Sequence, residues 1–526
     1  MIKNNILLMD LDAKKRLEII LEDKNYKKLV KKLDPIFLIT TINEIGSSDC
    51  LELIEALSSK QVQAIIDFSA WQEDQINLSK VGEWLKLLFE SGHQSALEQI
   101  HKLDREFLGL VFKKACHIYD LSTGEEPDEY TNLYSVCPDG RFLICFSDNK
   151  ELEDLARVLH LFLENLYGID MTFALNLLED IKYDQESLLE EEAYKFRNHR
   201  LADFGVLSRE ENLILLAEIT PKLLTKLPSN KALTSSSLTK FSNPAPDKYI
   251  FLKAALLNLE ASEVTYFQDL ISHLGLNFHS LLSQDFDDRE KIKESLVYTS
   301  FLIDLGLWRI SKGDIKAAQQ NLLDYGPKQL LRLGRSILTT LRKSSFAMLN
   351  DDNLLLNKAF ECADSPLREV AKAICSKEPL YYEGLLDARK LTAGYFNSHE
   401  QLQASIIALK ELRNRSLILG PKCLGISKEN TILNHSTMFV RVIINRFLKK
   451  TLELSEITSK DLTIIFSNEN KTKLSNSIKD FFHKQSDELW NKLNKNNHEY
   501  DISKQNIDDF VTTILIKLEQ NYQEIL

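Results

Sequence analysis

The residues best suited to chemistry lie between positions 190 and 205. Glu190-Glu191-Glu192-Ala193-Tyr194-Lys195-Phe196-Arg197-Asn198-His199-Arg200-Leu201-Ala202-Asp203-Phe204-Gly205 is the densest polar cluster in the chain. Its pattern predicts one helix. Acids come early and bases late, which suits the helix dipole. Glu191 and Lys195 form an i,i+4 pair, and Gly205 stands where a left-handed C-terminal cap is needed. Arg197 and Arg200 then lie about one turn apart. Two guanidinium groups at that spacing form a clamp for a carboxylate or phosphate. The competing account is a solvated helix face, or arginines paired with Asp203 and neighbouring acids. A second cluster, Asp67-Phe68-Ser69-Ala70-Trp71, closes a helix that begins near Gln61. A carboxyl buried beside Trp71 has a raised pKa and can serve as an acid. In the architectural account, Asp67 caps the following turn and Trp71 packs the next helix. The candidate ligand- or partner-binding set is therefore Arg197, Arg200, Asp203, Asp67 and Trp71, with no catalytic residue assigned.

Other motifs carry less chemistry. Leu305-Gly306-Leu307-Trp308 through Gly313-Asp314 reads as helix, turn, helix. It lacks the G-x-x-x-x-G-K-[ST] of a phosphate loop and has no preceding strand. Lys328, Arg332, Arg335, Arg342 and Lys343 form a basic stripe with no acid from Tyr325 through Asn350. The stripe suits an acidic partner or RNA, but no aromatic platform for stacking bases is interleaved with it. The eleven histidines give neither H-E-x-x-H nor H-x-x-x-H, and the seven cysteines give no C-x-x-C. No metal site and no cofactor are expected. Cys137 and Cys145 flank one expected hairpin, yet an odd, scattered set of cysteines in a reducing compartment argues for free thiols.

The elements that must position these residues follow from composition. There are 17 Gly and 11 Pro in 526 residues, about half of average usage. Tight turns need both residue types, so the chain is expected to run in helices with short connections. Short capped helices follow one another from about residue 34 to 110, starting at Asp34-Pro35, Ser47-Ser48-Asp49 and Ser58-Ser59. Leu133-Tyr134-Ser135-Val136, then Pro138-Asp139-Gly140, then Phe142 to Phe146 reads as a β-hairpin. The expected organisation is an N-terminal helical array at 1–125 and a hairpin insertion at 126–148. A helical continuation at 149–225 and a polar linker at 226–247 follow. A second helical domain at 248–420 and a C-terminal helical extension at 421–526 complete the chain.

Net charge is −12, which gives no bulk attraction to nucleic acid or anionic lipid. No apolar run reaches the ~18 residues of a membrane span, and Asp10 and Asp12 cut the run Ile6-Leu7-Leu8-Met9. The expected location is the cytoplasm.

Several stretches, taken in order, resemble an uncharacterised bacterial protein family known as a domain of unknown function. They are Gln63-Ala64-Ile65-Ile66-Asp67 with Trp71, the Pro138-Asp139-Gly140 hairpin, and Glu191/Glu192 to Arg200-Leu201 with Asp203 and Gly205. Leu305-Gly306-Leu307 with Gly313-Asp314 and Pro366-Leu367 followed by Pro379-Leu380-Tyr381-Tyr382 complete the set. The resemblance covers most of residues 30–420 and implies no activity, so no catalytic residue is carried over. The first hundred residues are also similar to the helical superhelix in the cytosolic part of some magnesium transporters, a likeness of fold alone.

The fold class expected is all-α: a multi-helical superhelical array with one small β-hairpin and a second helical domain. The function favoured is a cytosolic interaction or scaffold module that binds another protein along a helical groove. The alternative is a regulatory protein or enzyme with an anionic small-molecule site lined by Arg197 and Arg200. Nucleic acid is an unfavoured partner.

Overall fold

A computed structural model describes residues 11–227, 248–257, 259–282, 286–427, 433–468, 471–495 and 502–524. The Ile6–Met9 run and residues 228–247 of the expected linker lie outside the described residues. The chain divides into two compact units, 1–334 and 335–526. Among the described residues there are 22 α-helices and three sheets of two or three strands, so the fold is all-α with small β elements.

The first unit begins with α1 (Ala13–Leu21), α2 (Tyr26–Val30), α3 (Pro35–Ile45), α4 (Leu51–Glu55) and α5 (Ser59–Ser69). Their starts are chemically marked. The Asp34 side chain accepts from the Ile36 and Phe37 N–H groups while Pro35 fills the first turn. Ser58 and Gln61 form a reciprocal capping box at α5. A tight turn, β1 (Trp71–Gln72) with β2 (Gln75–Ile76), leads into α6 (Leu78–Ser91), α7 (His93–His101) and α8 (Arg105–Ala115).

β3 (Cys116–Asp120) follows α8 without a loop; β4 (Tyr134–Val136) and β5 (Phe142–Phe146) complete an antiparallel sheet in the order β3-β5-β4. Ile118 and Ser135 both face Ile144 across the central strand. The expected hairpin is present, and a third strand joins it. That strand was hidden because Cys116 continues the helical chain directly, with no Gly or Pro, and turns extended only at its own φ of −145°. Cys137 and Cys145 are free thiols. The inner face of the sheet joins a core that includes Phe107, Phe112, Phe142, Phe146 and Phe162.

Next come α9 (Glu153–Ile169), α10 (Met171–Tyr183), α11 (Glu186–Asp203) and α12 (Arg209–Leu215). The helix read from Glu190 thus begins four residues earlier, and Gly205 ends it at φ +78° as expected. The unit ends with α13 (Ile250–Leu257), α14 (Ala261–Leu282), α15 (Arg289–Ile310) and the first part of α16 (Ala318–Leu349). Gly326, at φ +67°, breaks α16, and Pro327 follows the break. Residues 225–227 lie against this helix: the Leu227 N–H donates to the Asp324 carbonyl at 2.7 Å, and Lys226 pairs with the Asp324 carboxylate.

The second unit holds the rest of α16, α17 (Leu367–Ile374), the pair β6 (Leu380–Tyr382) and β7 (Ala393–Tyr395), and α18 (His399–Leu419). It continues through α19 (His435–Phe447), α20 (Ser459–Ile465), α21 (Asn476–Lys495) and α22 (Lys504–Asn521).

α15 and α16 approach one another through glycine. A Cβ at Gly306 would fall on the Leu330 carbonyl oxygen, and one at Gly334 on that of Leu302. Backbone, not a flexible side chain, fills both spaces. Gly306→Ala and Gly334→Ala should each cost about 1–3 kcal/mol by overpacking, read as a lower melting temperature by calorimetry. Gly168→Ala, with open space around it in α9, is the control and should leave stability unchanged or gain up to ~1 kcal/mol.

Candidate functional site

Four of the five candidate residues converge, and all of them belong to the first unit. α5 ends by carrying Asp67 inward, where the residue is fully buried. α11 supplies Arg197 and Arg200, one turn apart on a single face. The Arg200 fork meets the Asp67 carboxylate at 2.7 and 2.9 Å, and its remaining nitrogen pairs with Asp104, the residue just before α8. Arg197 donates from Nε to the Asp67 carbonyl at 3.0 Å and lies over the Trp71 ring at 5.2 Å. Gln63 closes the network: its amide nitrogen reaches Asp67, and its oxygen accepts from the Asp104 N–H. Trp71 packs among Leu110, Leu189 and Ala193.

Two expectations change here. Asp67 does not cap the following turn; its carboxylate is taken by Arg200 and Gln63. Asp203 is exposed at the end of α11 and pairs with neither arginine. The acids that do pair come from α5 and from the start of α8. Asp67 and Asp104 lie 133 and 96 residues from Arg200, beyond any local pattern.

The electrostatics are those of a buried ion cluster. Burial pushes the Asp67 carboxyl above the ordinary range, against the pull of Arg200, Arg197 and Gln63. Arg200 loses hydration too, yet the carboxylates of Asp67 and Asp104 raise it on balance. These directions oppose one another, and the geometry decides between them. Two guanidinium nitrogens in bidentate contact hold the carboxyl ionised. Desolvation lowers Arg197 to about 10, and no carboxylate bonds its guanidinium among the described residues.

Three members of the basic stripe have internal partners. Arg332 donates to the Ala217 carbonyl at 2.6 Å, Arg335 grips Glu378 with its fork, and Arg342 lies over Phe346.

Sequence spacing gave no signal for a second cluster, Cys362, Asp364 and His435, in the second unit. The residue types suggest a nucleophile, but the geometry does not. His435 Nε2 lies 2.8 Å from the Leu355 carbonyl, an acceptor only, so that nitrogen carries the proton. Cys362 Sγ lies 3.7 Å from the same nitrogen, which therefore cannot act as its base. Asp364 accepts from the Ser436 N–H and hydroxyl and from Arg415. Burial raises the thiol and lowers His435. The cluster is packing: its thiol, carboxylate and His435 Nε2 are engaged from within, while His435 Nδ1 is buried without a partner among the described residues.

Two clefts of the second unit run along α18. One, of about 370 Å³, is lined by residues including Leu341, Met348, Leu354, Ile406 and Arg413. The other, of about 310 Å³, is lined by residues including Ile407, Arg415, Asn506 and Phe510. Lys410 and Asn414 line both. Ile406 and Ile407 are 38% and 65% exposed, and α18 forms the ridge between the clefts. Among the described residues no group of three or more His, Cys, Asp or Glu is placed to hold a metal ion, and no helix is long and apolar enough to cross a membrane.

These features define a multi-helical protein whose interior carries paired charges and whose second unit presents two exposed isoleucines on a mixed polar and apolar ridge. The chain belongs to a family of unknown function, DUF6178, which matches residues 4–525. Comparison with curated proteins and with solved structures finds no match.

Two outcomes are expected. Arg200→Ala strands a fully buried carboxylate and should cost about 3–5 kcal/mol, read as a lower urea midpoint. Arg200→Lys should restore little, because a single ammonium cannot replace the fork. His435 is held neutral, so its folded pKa lies below the ordinary 6.5. The folded state then binds fewer protons than the unfolded state. Stability is complete above about pH 6.5 and falls as pH drops below it, by up to about 1.4 kcal/mol per unit. His435→Gln should flatten the melting-temperature profile in that window. His273, also lowered by burial, leaves a residual slope.

Proposed function

We propose that the chain is a protein–protein interaction module. The observation that carries this reading is the pair of clefts flanking α18. Ile406, Ile407, Lys410, Arg413 and Asn414 recur at helical spacing along the ridge, the periodicity that reads an amphipathic partner helix. Isoleucines exposed beside apolar walls gain by desolvation, and the exposed Arg413 at the rim favours an acidic flank on the partner. Pull-down with the tagged full-length chain from its source cells, analysed by mass spectrometry, tests it. One protein should be retained by wild type and lost with Ile407→Glu at unchanged melting temperature. Equal recovery by both, or no enriched protein, removes the reading.

A second reading has one specific observation behind it. Arg197 is only 8% exposed and has no carboxylate partner, and the indole N–H of the buried Trp71 beside it has no acceptor. Both statements hold among the described residues. An anion at this point would meet the Trp71 N–H, which has no acceptor, and a guanidinium with no carboxylate bonded to it. Inorganic phosphate should then raise the melting temperature of wild type but not of Arg197→Met. Equal shifts in both proteins would exclude it.

A further inference from the structure

The sheet of the first unit ends in an open strand. The hydrogen-bonded pairs between β4 and β5 fall at Leu133, Ser135 and Cys137: the Phe146 N–H donates to the Leu133 carbonyl, Ser135 sits opposite Ile144, and the Cys137 N–H donates to the Phe142 carbonyl. This alternation turns the N–H and C=O groups of Tyr134 and Val136 away from β5. No described residue pairs with them. Their side chains share the outer face of the sheet and are 49% and 48% exposed. Ser135 points the other way, buried, with its hydroxyl on Glu164. On the same face the central-strand residues Cys145 and Leu143 are buried between Tyr134 and Val136 on one side and His117 and Tyr119 on the other, so the open part of the face lies at β4 itself. Tyr130 extends the aromatic surface, with its ring 5.2 Å from that of Tyr134.

Natural edges are usually blunted by lysine, proline or a covering element. β4 has neither residue and presents aromatic and β-branched side chains instead. The segment leading into it is acidic: Glu125-Glu126-Pro127-Asp128-Glu129 contains no base. Lys182 neutralises Glu125. Glu126, Asp128 and Glu129 are exposed and without partners among the described residues.

We infer that β4 accepts an added strand from another protein, an extended segment in which basic residues alternate with apolar ones. The outward backbone groups of Tyr134 and Val136 would supply the ladder bonds. The aromatic face would take the apolar side chains, and the three free acids would select the positive charge. The inference rests on the interaction reading but uses a surface other than the clefts.

The probe is a fluorescent peptide of alternating lysine and valine, titrated against the full-length protein by anisotropy. Saturable binding is expected, weakened by added salt and by reversing Glu126, Asp128 and Glu129 to lysine. Val136→Pro removes one outward N–H and no bond to β5, a position where an edge strand tolerates proline. It should weaken binding about tenfold or more. A peptide N-methylated along one edge tests the same ladder without altering the protein and should not bind. Ile407→Glu should bind the peptide as wild type does, which separates failure here from failure of the cleft reading. No binding to wild type, equal binding by the N-methylated peptide, or equal binding by a glutamate–valine peptide would overturn the inference.

Discussion

Three helices of the first unit, α5, α8 and α11, meet at one guanidinium group. Arg200 lies on α11 and holds Asp67 at the end of α5 and Asp104 before α8. Gln63 and Arg197 add bonds to the same two segments. A buried ion pair is poor evidence of stability, because apolar residues of equal volume often serve as well. Its geometry is far more demanding than theirs. A fork that must present two nitrogens to one carboxylate and a third to another fits few arrangements of three helices, whereas leucines would tolerate many. Here we read the cluster as fixing the register of α5, α8 and α11, while the surrounding apolar core supplies the driving force.

The glycines place a second kind of constraint on packing. A chain with so few is expected to spend them where no other residue fits. Gly306 and Gly334 stand where a carbonyl of the facing helix occupies the volume of a Cβ. Gly326 adopts the left-handed conformation that starts a new helical segment before Pro327. Close approach and positive φ are separate demands, and α15 and α16 between them use glycine for both.

Much of the local structure was legible in the sequence. Asp34-Pro35, Ser58 with Gln61, and Gly205 all act where capping chemistry places them, because caps depend on residues within four positions of one another. The hairpin about Pro138-Asp139-Gly140 was legible for the same reason. β3 was not, although Ile118 and Tyr119 suit a strand, because no Gly, Pro or capping residue separates Cys116-His117-Ile118-Tyr119-Asp120 from the helix before it. The arginine pair was legible as a pair, but its partners were not. Asp67 and Asp104 come from distant segments, and no spacing rule links them to α11. The Cys362, Asp364 and His435 cluster failed to register for the same reason.

The distribution of chemistry between interior and surface bears on function. Catalysis needs perturbed groups that a substrate can reach. Here Asp67, Cys362 and His435 are each shifted in the direction that burial dictates, and all three lie out of reach of solvent. The groups left open are of another kind: isoleucines on the α18 ridge, and on β4 a row of unpaired backbone with aromatic side chains. Apolar ridges and strand edges bind by excluding water and completing a ladder, neither of which transforms a ligand.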